Sequence, residues 1–429
     1  MSDSRTQREL GLLLRNHRRR AGLTQRHLAD LATVSVRAIR NLEQGKVRWP
    51  RLHTVRLLAD ALRLGAGERE ALLDAARSRP YGVHPDAVRT APGASGPWSL
   101  PGPLIGRGTE LDALTELLRP PGRRLVSVVG IGGVGKSHLA AEAVRRTAAD
   151  GTGVLWIPCG EAVPSAEFAA RSFPAEPLVL VLDDTEADFD GNGRLTDLMQ
   201  SHPGLRILRT APGPCGIPGE QVLRLAPLPV PDPGAEADVA RLAEVPSVRL
   251  LCSHIRAIDP RFELGGAEAA TVAELCRRLD GLPRALQFAG GWTLVRSLRE
   301  LLADVERSPF GLTAPPMTTD APTRDPVVRL RRTLGRLSPS CASFLATVAR
   351  AGGSWSIEEA ALTAETSGAD AAVIVFTLIT YGLVRSEAAG DGEPRFSVLH
   401  HVRHLYADAR REPRERGLKV GSARATATP

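Results

Sequence analysis

The chain has 429 residues, 43% apolar and only 4% aromatic, enough for about three domains with small aliphatic cores. Its net charge of +7 is uneven: residues 1–79 carry 17 Lys/Arg against 8 Asp/Glu, and the remainder carries 38 against 40. Five scattered cysteines without C-x-x-C spacing argue against a disulfide frame and a zinc site; no basic start leads into an apolar leader, and the longest apolar stretch, Ala371–Val384, is too short for a bilayer, so a cytoplasmic protein with no membrane partner is expected.

Residues 1–79 read as a bundle of short helices. Arg8–Arg20 puts Leu10, Leu13 and Leu14 on one face and Gly22 ends it. Thr24 can cap a helix over Gln25–Ala32 with Leu28 and Leu31 inward. Ser35 can cap Val36–Gln44, with Ile39 and Leu42 inward and Gly45 as the stop; Arg51–Leu64 and Glu68–Arg77 follow. Helix, tight turn and capped helix in a compact basic module point to nucleic acid. The alternative is a basic bundle that binds a protein. The string from Arg19 to Gly45 resembles the phage-repressor (XRE) type of helix-turn-helix. That resemblance implies Val36–Gln44 as recognition helix, presenting Arg37, Arg40 and Asn41 to bases, with Ser35 at its start. Gln25 would hold the DNA backbone, and Lys46, Arg48 and Arg51 could contact phosphate. The partner is then a double-stranded DNA operator. Residues 80–103, rich in Pro, Gly, Ser and Ala, read as a flexible linker.

The most specific signal follows. Gly130–Ser137 reads G-I-G-G-V-G-K-S, a G-x-x-x-x-G-K-[ST] phosphate loop, set between a strand-like Leu125–Val129 and a helix-like Ser137–Ala149. This arrangement turns backbone N–H groups and a helix start toward a polyphosphate. Lys136 is one of only three lysines among 55 basic residues, in a chain that otherwise chooses arginine. The cradle is read as Gly130, Gly132, Gly133, Val134, Gly135, Lys136, Ser137 and His138, with Lys136 also serving catalysis. Further strands are expected at Val154–Pro158, Leu178–Asp184, Arg206–Thr210 and Val222–Leu225, making a parallel sheet of about five strands. Leu178–Asp184 delivers two carboxylates to the sheet's C-terminal edge. Asp183 with the Ser137 hydroxyl would hold Mg2+, and Asp184 would orient or deprotonate an attacking water.

Beyond the sheet, Ser247–Ile258 and Thr271–Leu279 are amphipathic, the second running into Asp280-Gly281-Leu282-Pro283, which alone reads as a helix stop. L-I-G-R at Leu104–Arg107, the phosphate loop, L-V-L-V-L-D-D and D-G-L-P, in that order, resemble the NB-ARC (STAND) family of signal-transducing ATPases over roughly 104–410. The resemblance implies ATP/ADP as the bound nucleotide, with Leu104, Ile105 and Pro283 flanking adenine. It also implies three parts: a nucleotide-binding domain (104–230), a helical lid (231–310) and a winged-helix domain (311–410). A disordered tail (411–429) is expected to follow. The family's Met-His-Asp, whose histidine touches the β-phosphate of ADP, has a counterpart in Leu399-His400-His401, which points to His400 without the aspartate. The family's Thr-Ser-Arg sensor has none: Arg209 precedes Thr210, and an odd shift along a strand turns a side chain to the other face. Losing such a cation can slow phosphoryl transfer by about 10³-fold or more, so nucleotide binding is a firmer expectation than turnover.

The expected architecture is therefore multidomain, an all-α helix-turn-helix bundle followed by an α/β P-loop NTPase with a helical lid and a winged-helix subdomain. The expected function is nucleotide-switched DNA binding in transcription regulation, with self-association on nucleotide exchange and a separate sensor protein as further partners. Two other readings stand beside it: a P-loop ATPase or kinase merely localised by its helix-turn-helix, and an ADP-bound scaffold that no longer cycles.

Overall fold

The computed structural model describes residues 13–32, 34, 36–44, 52–62, 64, 103–119, 123–158, 178–185, 193–312, 315, 326–387 and 393–408. The chain forms two compact units, Met1–Val88 and Arg89–Pro429.

In the first unit, helix α1 (residues 13–20) stops at Gly22, whose φ is +67°. The N–H groups of Gly22 and Leu23 bond back to Arg19 O and Arg18 O at 3.0 and 3.1 Å, a Schellman closure that requires a left-handed residue. The Thr24 hydroxyl accepts from His27 N at 3.1 Å and starts α2 (Gln25–Leu31). Helices α3 (Val36–Glu43) and α4 (Leu52–Ala61) follow. Leu14, Leu28, Ala29, Ala32, Ile39, Leu42, Val55, Leu58, Ala59 and Leu62 form one core. Leu31, expected inside, is 60% exposed. From Leu28 the inward stripe passes through Ala29 and Ala32, one step further round the helix than Leu31. Leu10 and the fifth helix, Glu68–Arg77, lie outside the described residues.

The second unit opens with α5 (Gly108–Leu118). It is built on β1 (Leu125–Val129), β2 (Gly153–Pro158), β3 (Leu178–Asp183), β4 (Leu205–Ala211) and β5 (Gln221–Arg224), all parallel in the order β2-β3-β4-β1-β5. The strands β1 and β3 are buried along their whole length, as their aliphatic runs require of a sheet covered on both faces. Helix α6 (Lys136–Ala149) lays Leu139, Ala140, Ala143 and Val144 on Val126 and Val128. Helix α7 (Arg194–Ser201) links β3 to β4.

A helical block with its own core follows: α8 (Val239–Glu244), α9 (Pro246–Arg256), α10 (Gly266–Arg278), α11 (Pro283–Trp292) and α12 (Leu298–Arg307). Helix α12 carries Leu298, Leu301, Leu302 and Val305 at helical spacing on the core side. Helix α11 carries two glycines, and α12 is announced by a Ser297–Glu300 capping box. The C-terminal block comprises α13 (Pro326–Leu334), α14 (Pro339–Ala351), β6 (Ser354–Trp355), α15 (Ile357–Thr363), α16 (Gly368–Thr380), β7 (Val384–Glu387), β8 (Arg395–Val398) and α17 (His400–Asp408). Its strands pair antiparallel as β6-β8-β7, and its core is continuous with that of the parallel sheet. The two-residue β6 is too short to leave a periodic signal. No single described helix is long and apolar enough to cross a membrane.

Candidate nucleotide site and candidate DNA-reading face

Strand β1 runs directly into the glycine loop. Gly130 has φ +147°, and a Cβ there would stand 2.5 Å from Leu225 O, so no larger residue fits beside β5. Three residues hold the loop in place. Lys136 Nζ donates to Gly130 O at 2.8 Å and Ile131 O at 3.0 Å, folding its own loop around the ammonium. Arg284 N, at the start of α11, donates to Gly133 O at 3.2 Å. The buried Arg107 guanidinium spans Ala226 O at 2.6 Å and Val134 O at 3.5 Å, joining the L-I-G-R segment to the loop. Burial and the positive charge of Arg329 push the Lys136 ammonium down to about 8, against the pull of Asp184 and Asp183. A desolvated cation of this kind is short of anionic partners.

The two acids are presented differently. Asp183, buried at the end of β3, accepts from Ser137 Oγ and from Thr210 Oγ1, each at 2.6 Å. Asp184 has φ +62°, and its N–H donates to Thr210 Oγ1 at 2.9 Å. Its carboxylate pairs with Arg329 of α13. The Ser137 hydroxyl beside one carboxylate is the donor set of a hard cation that keeps waters and takes phosphate oxygens. Among the described residues no group of three or more His, Cys, Asp or Glu side chains gathers as a self-sufficient metal cage. The residues thus fit Mg2+ only together with a polyphosphate.

Arg209 lies on the other face of the sheet from α6, opposite Ser127 in the β1–β4 register. It is fully buried, with Nε on Thr185 Oγ1 at 3.1 Å and Nη1 3.4 Å from Glu220 Oε1. Burial raises the Glu220 carboxyl, but bonds from Ser127 and from the Cys215 and Gly216 N–H groups hold it below its usual range. Arg209 is thus a structural charge. Arg209→Met should destabilise the fold by about 3–5 kcal/mol by stranding Glu220, while nucleotide affinity per folded molecule stays within about twofold. Chemical melts combined with titration calorimetry would check both halves.

The D-G-L-P segment is more than a helix stop. Asp280 and Gly281 are both left-handed, with φ of +55° and +64°. Asp280 is buried and takes up the start of α17: Oδ1 accepts His400 N at 2.9 Å, and Oδ2 accepts His401 N at 3.0 Å and His401 Nδ1 at 2.7 Å. Arg385 of β7 donates to Asp280 O at 2.8 Å. Burial raises the Asp280 carboxyl, but the His401 bond and the His401, Arg385 and His400 charges hold it below its ordinary value. Pro283 then opens α11, its Cγ 4.0 Å from where a Cβ on Gly135 would stand. The His400 ring lines a cleft of about 660 Å³ with Arg278, Glu306, Arg403, His404 and Tyr406. The histidine that meets a carboxylate is its neighbour, His401. Leu104 and Ile105 are half-buried beside Gly106, and His138 is half-buried on the first turn of α6.

In the first unit, Arg40 is exposed and Asn41 half-buried on α3, turned away from Ile39 and Leu42. Gln25 stands at the start of α2, where its Nε2 donates one of its two N–H groups to Glu43 Oε2 at 2.8 Å. Arg18 grips the same carboxylate through Nε at 2.5 Å and Nη2 at 2.9 Å, and its Nη1 bonds Leu23 O at 2.8 Å. Partial burial raises the Glu43 carboxyl, but Arg18 and Gln25 bring it below its usual range. Ser35, the Arg37 side chain, Lys46, Arg48 and Arg51 lie outside the described residues.

Arg107, Thr210, Asp280 and Arg329 were not read as site residues. Arg107 and Asp280 stand inside the L-I-G-R and D-G-L-P motifs, but their partners lie 119 and 121 residues away. Thr210 follows the out-of-register arginine. Arg329 has no local signal.

Residues 9–72 match the helix-turn-helix domain family and residues 103–173 the AAA ATPase domain family. The chain thus joins a helix-turn-helix domain to a parallel-sheet AAA ATPase domain of the P-loop type, in a multidomain arrangement. An uncharacterized protein of Mycobacterium tuberculosis (strain ATCC 25618 / H37Rv) is 30% identical over 223 residues, 47% of this chain and 53% of that protein. A second protein of that strain, named "Putative HTH-type transcriptional regulator", is 31% identical over 199 residues, 42% of this chain and 21% of that protein. The match therefore spans about half the length of the first relative and a fifth of the second. Among solved structures, the Signal Transduction ATPase with Numerous Domains (STAND) protein with a tetratricopeptide repeat sensor from Pyrococcus horikoshii is similar at 14% identity and a TM-score of 0.30. That likeness covers 74% of this chain and 44% of the other.

Proposed function

We propose that this protein is a DNA-binding transcription regulator whose second unit binds ATP or ADP and uses the bound nucleotide as a conformational switch. The supporting observation is where the phosphate loop sits. It is the meeting point of α11, through Arg284 N on Gly133 O, of the α16–β7 turn, where a Cβ on Gly382 would stand 2.8 Å from Ile131 N, and of α13, through Arg329. A polyphosphate entering this loop changes the charge that all three segments face. Nucleotide shifts such an arrangement only by its difference in affinity for the two states.

In this reading Gly130, Gly132, Gly133, Val134, Gly135, Lys136, Ser137 and His138 cradle the phosphates, and Leu104, Ile105 and Pro283 flank the adenine. Asp183 and the Ser137 hydroxyl hold Mg2+, which supplies charge neutralisation on the phosphates when bound. Asp184 orients water once Arg329 releases it. His400 touches the β-phosphate of bound ADP and holds the closed state. The chain divides into a DNA-binding domain (1–79), a linker (80–103), a nucleotide-binding domain (104–230), a lid (231–310), a winged-helix domain (311–410) and a tail (411–429). Its partners are a double-stranded operator, a separate sensor protein and, on exchange, a second copy.

Replacing Arg40 with Ala should lower affinity for the preferred operator by about tenfold while barely changing non-specific binding. Arg48→Ala should weaken all sequences alike and flatten the salt slope by about one unit. Footprints and salt titrations separate the two. Identical footprints for wild type and Arg40→Ala would remove α3 as the reader. Mapping bound DNA genome-wide, with and without an intact phosphate loop, tests the switch itself.

A second reading draws on Asp184 being paired with Arg329 and Arg209 being sealed in the opposite face. It describes a scaffold that holds ADP and hydrolyses ATP slowly or not at all. Stoichiometric ADP carried through purification would favour it, and rapid turnover without DNA would defeat it.

A further inference from the structure

Arg329 enters the site from far along the chain, 145 residues after Asp184, yet its guanidinium pairs with the Asp184 carboxylate. Its side chain runs over the phosphate loop, with Cβ and Cδ each 3.6 Å from where a Cβ on Gly132 would stand. The other arginines near this edge are committed elsewhere. Arg209 is on the far face of the sheet with Thr185 and Glu220. Arg284 also lies over the loop, its Cβ 3.2 Å from where a Cβ on Gly133 would stand, but its guanidinium is 5.2 Å from the centre of the Phe288 ring. The carboxylates of Asp183 and Asp184 accept from Ser137, Thr210 and Arg329. Arg107 spans Glu110 and two backbone carbonyls. Arg329 alone of these bridges the loop to the acid beside it. It stands on α13, whose Leu330 is buried in the core shared by the parallel sheet and the C-terminal block.

A triphosphate in the loop brings a further negative group toward Asp184. Two anions repel at this range unless a cation stands between them, and a guanidinium, with five donors in a planar fork, can serve both. A diphosphate makes no such demand. The geometry points to Arg329 as the residue that reads the third phosphate: it stays on Asp184 when a diphosphate is bound and turns to the γ-phosphate when a triphosphate is bound. The inference rests on the nucleotide-site reading above and deepens it by naming the residue that distinguishes ATP from ADP. It also supplies the link to the C-terminal block. The cation that changes partner belongs to α13, so the nucleotide's length is felt outside the sheet. Release of Asp184 then coincides with arrival of the phosphate whose attacking water it would orient.

The test is calorimetric titration of the full chain with Mg-ADP and with a non-hydrolysable Mg-ATP analogue. In Arg329→Gln, ADP affinity is expected to stay within about twofold of wild type, while affinity for the triphosphate analogue falls about tenfold or more, the size of one lost charge-assisted contact. Arg329→Lys, which keeps the charge but not the fork, should recover part of that loss. Equal weakening of both nucleotides would mean that Arg329 merely supports the loop, and no weakening of either would mean that it touches neither; each result overturns the assignment. Wild type that binds neither nucleotide overturns the nucleotide site itself, and this inference with it. A measurement on the unaltered chain guards against a variant that fails to fold: amide exchange across residues 326–334 should differ between the ADP-loaded and analogue-loaded protein. Identical exchange in the two states would also overturn it.

Discussion

Lys136→Met is expected to weaken ATP and ADP alike, by about tenfold to a hundredfold, without lowering the melting temperature of the nucleotide-free protein. The two halves have one cause. Lys136 is buried with its Nζ on two carbonyls of its own loop, and its ammonium is held down to about 8 from an ordinary 10.5. In the unfolded chain the group keeps its proton up to about 10.5, so between these values the unfolded state binds more protons than the folded one. By linkage, this group's contribution to stability rises with pH across that window and is unfavourable below it. At pH 7 the nucleotide-free fold therefore carries a charged group at a cost, and a bound polyphosphate relieves it. Charge-assisted contacts of this kind are worth about 1.5–3 kcal/mol, which sets the expected loss. Titration calorimetry and thermal melts on one preparation check both halves. Undiminished binding of both nucleotides by Lys136→Met would defeat the nucleotide assignment, and a large fall in the melting temperature would defeat the account of the strained cation.

Asp280→Ala is expected to rank with Arg209→Met among the most destabilising single changes in the second unit outside its apolar cores. It leaves the His400 and His401 N–H groups and the His401 ring facing a buried gap where a carboxylate accepted all three. Removing one side of such a buried pair costs about 3–5 kcal/mol. Asp280→Asn should cost less, because the amide oxygen still accepts one of the bonds. The same clamp fixes a pH dependence. The Asp280 carboxyl is held below its ordinary 3.8, despite the burial that raises it, by the His401 bond and the nearby positive charges. Its stabilising effect is present above the unfolded value and disappears as pH falls through the lower folded one. Because Asp280 joins the end of α10 to the start of α17, its loss should also make DNA affinity insensitive to nucleotide, if the helical block and the C-terminal block respond to the loop together. Denaturant midpoints report the first effect. DNA affinity measured with ADP and with an ATP analogue reports the second, and an unchanged nucleotide response in Asp280→Ala would break the proposed link.

Much of this molecule was legible as one-dimensional pattern. The aliphatic run Leu125–Val129 is a strand because β-branched and aliphatic residues without polar alternation suit a sheet covered on both sides. The loop that follows is glycine-rich because its backbone must take positive φ, as Gly130, Gly133 and Gly135 do. Gly22 and Thr24 end one helix and start the next by local rules that need no neighbours. Patterns of this kind depend on residues within a few positions of each other, so they survive without coordinates.

What the fold alone decided depends on residues far apart in the chain. Leu31 looked as apolar as Leu28, and only the packing of three helices turned it outward. Gln25 meets Glu43 18 residues on, a pairing that no local pattern announces. Arg329 meets Asp184 across 145 residues, and Asp280 meets His401 across 121. The amino-acid sequence by itself determined that there is a basic helical module, a phosphate-binding loop at a strand end and two acids at the end of a second strand, because local backbone preference and hydrophobic period suffice for those. Tertiary structure alone decided which cation faces which acid, because electrostatic partners in a buried site are chosen by proximity in space, and proximity across a hundred residues leaves no local trace.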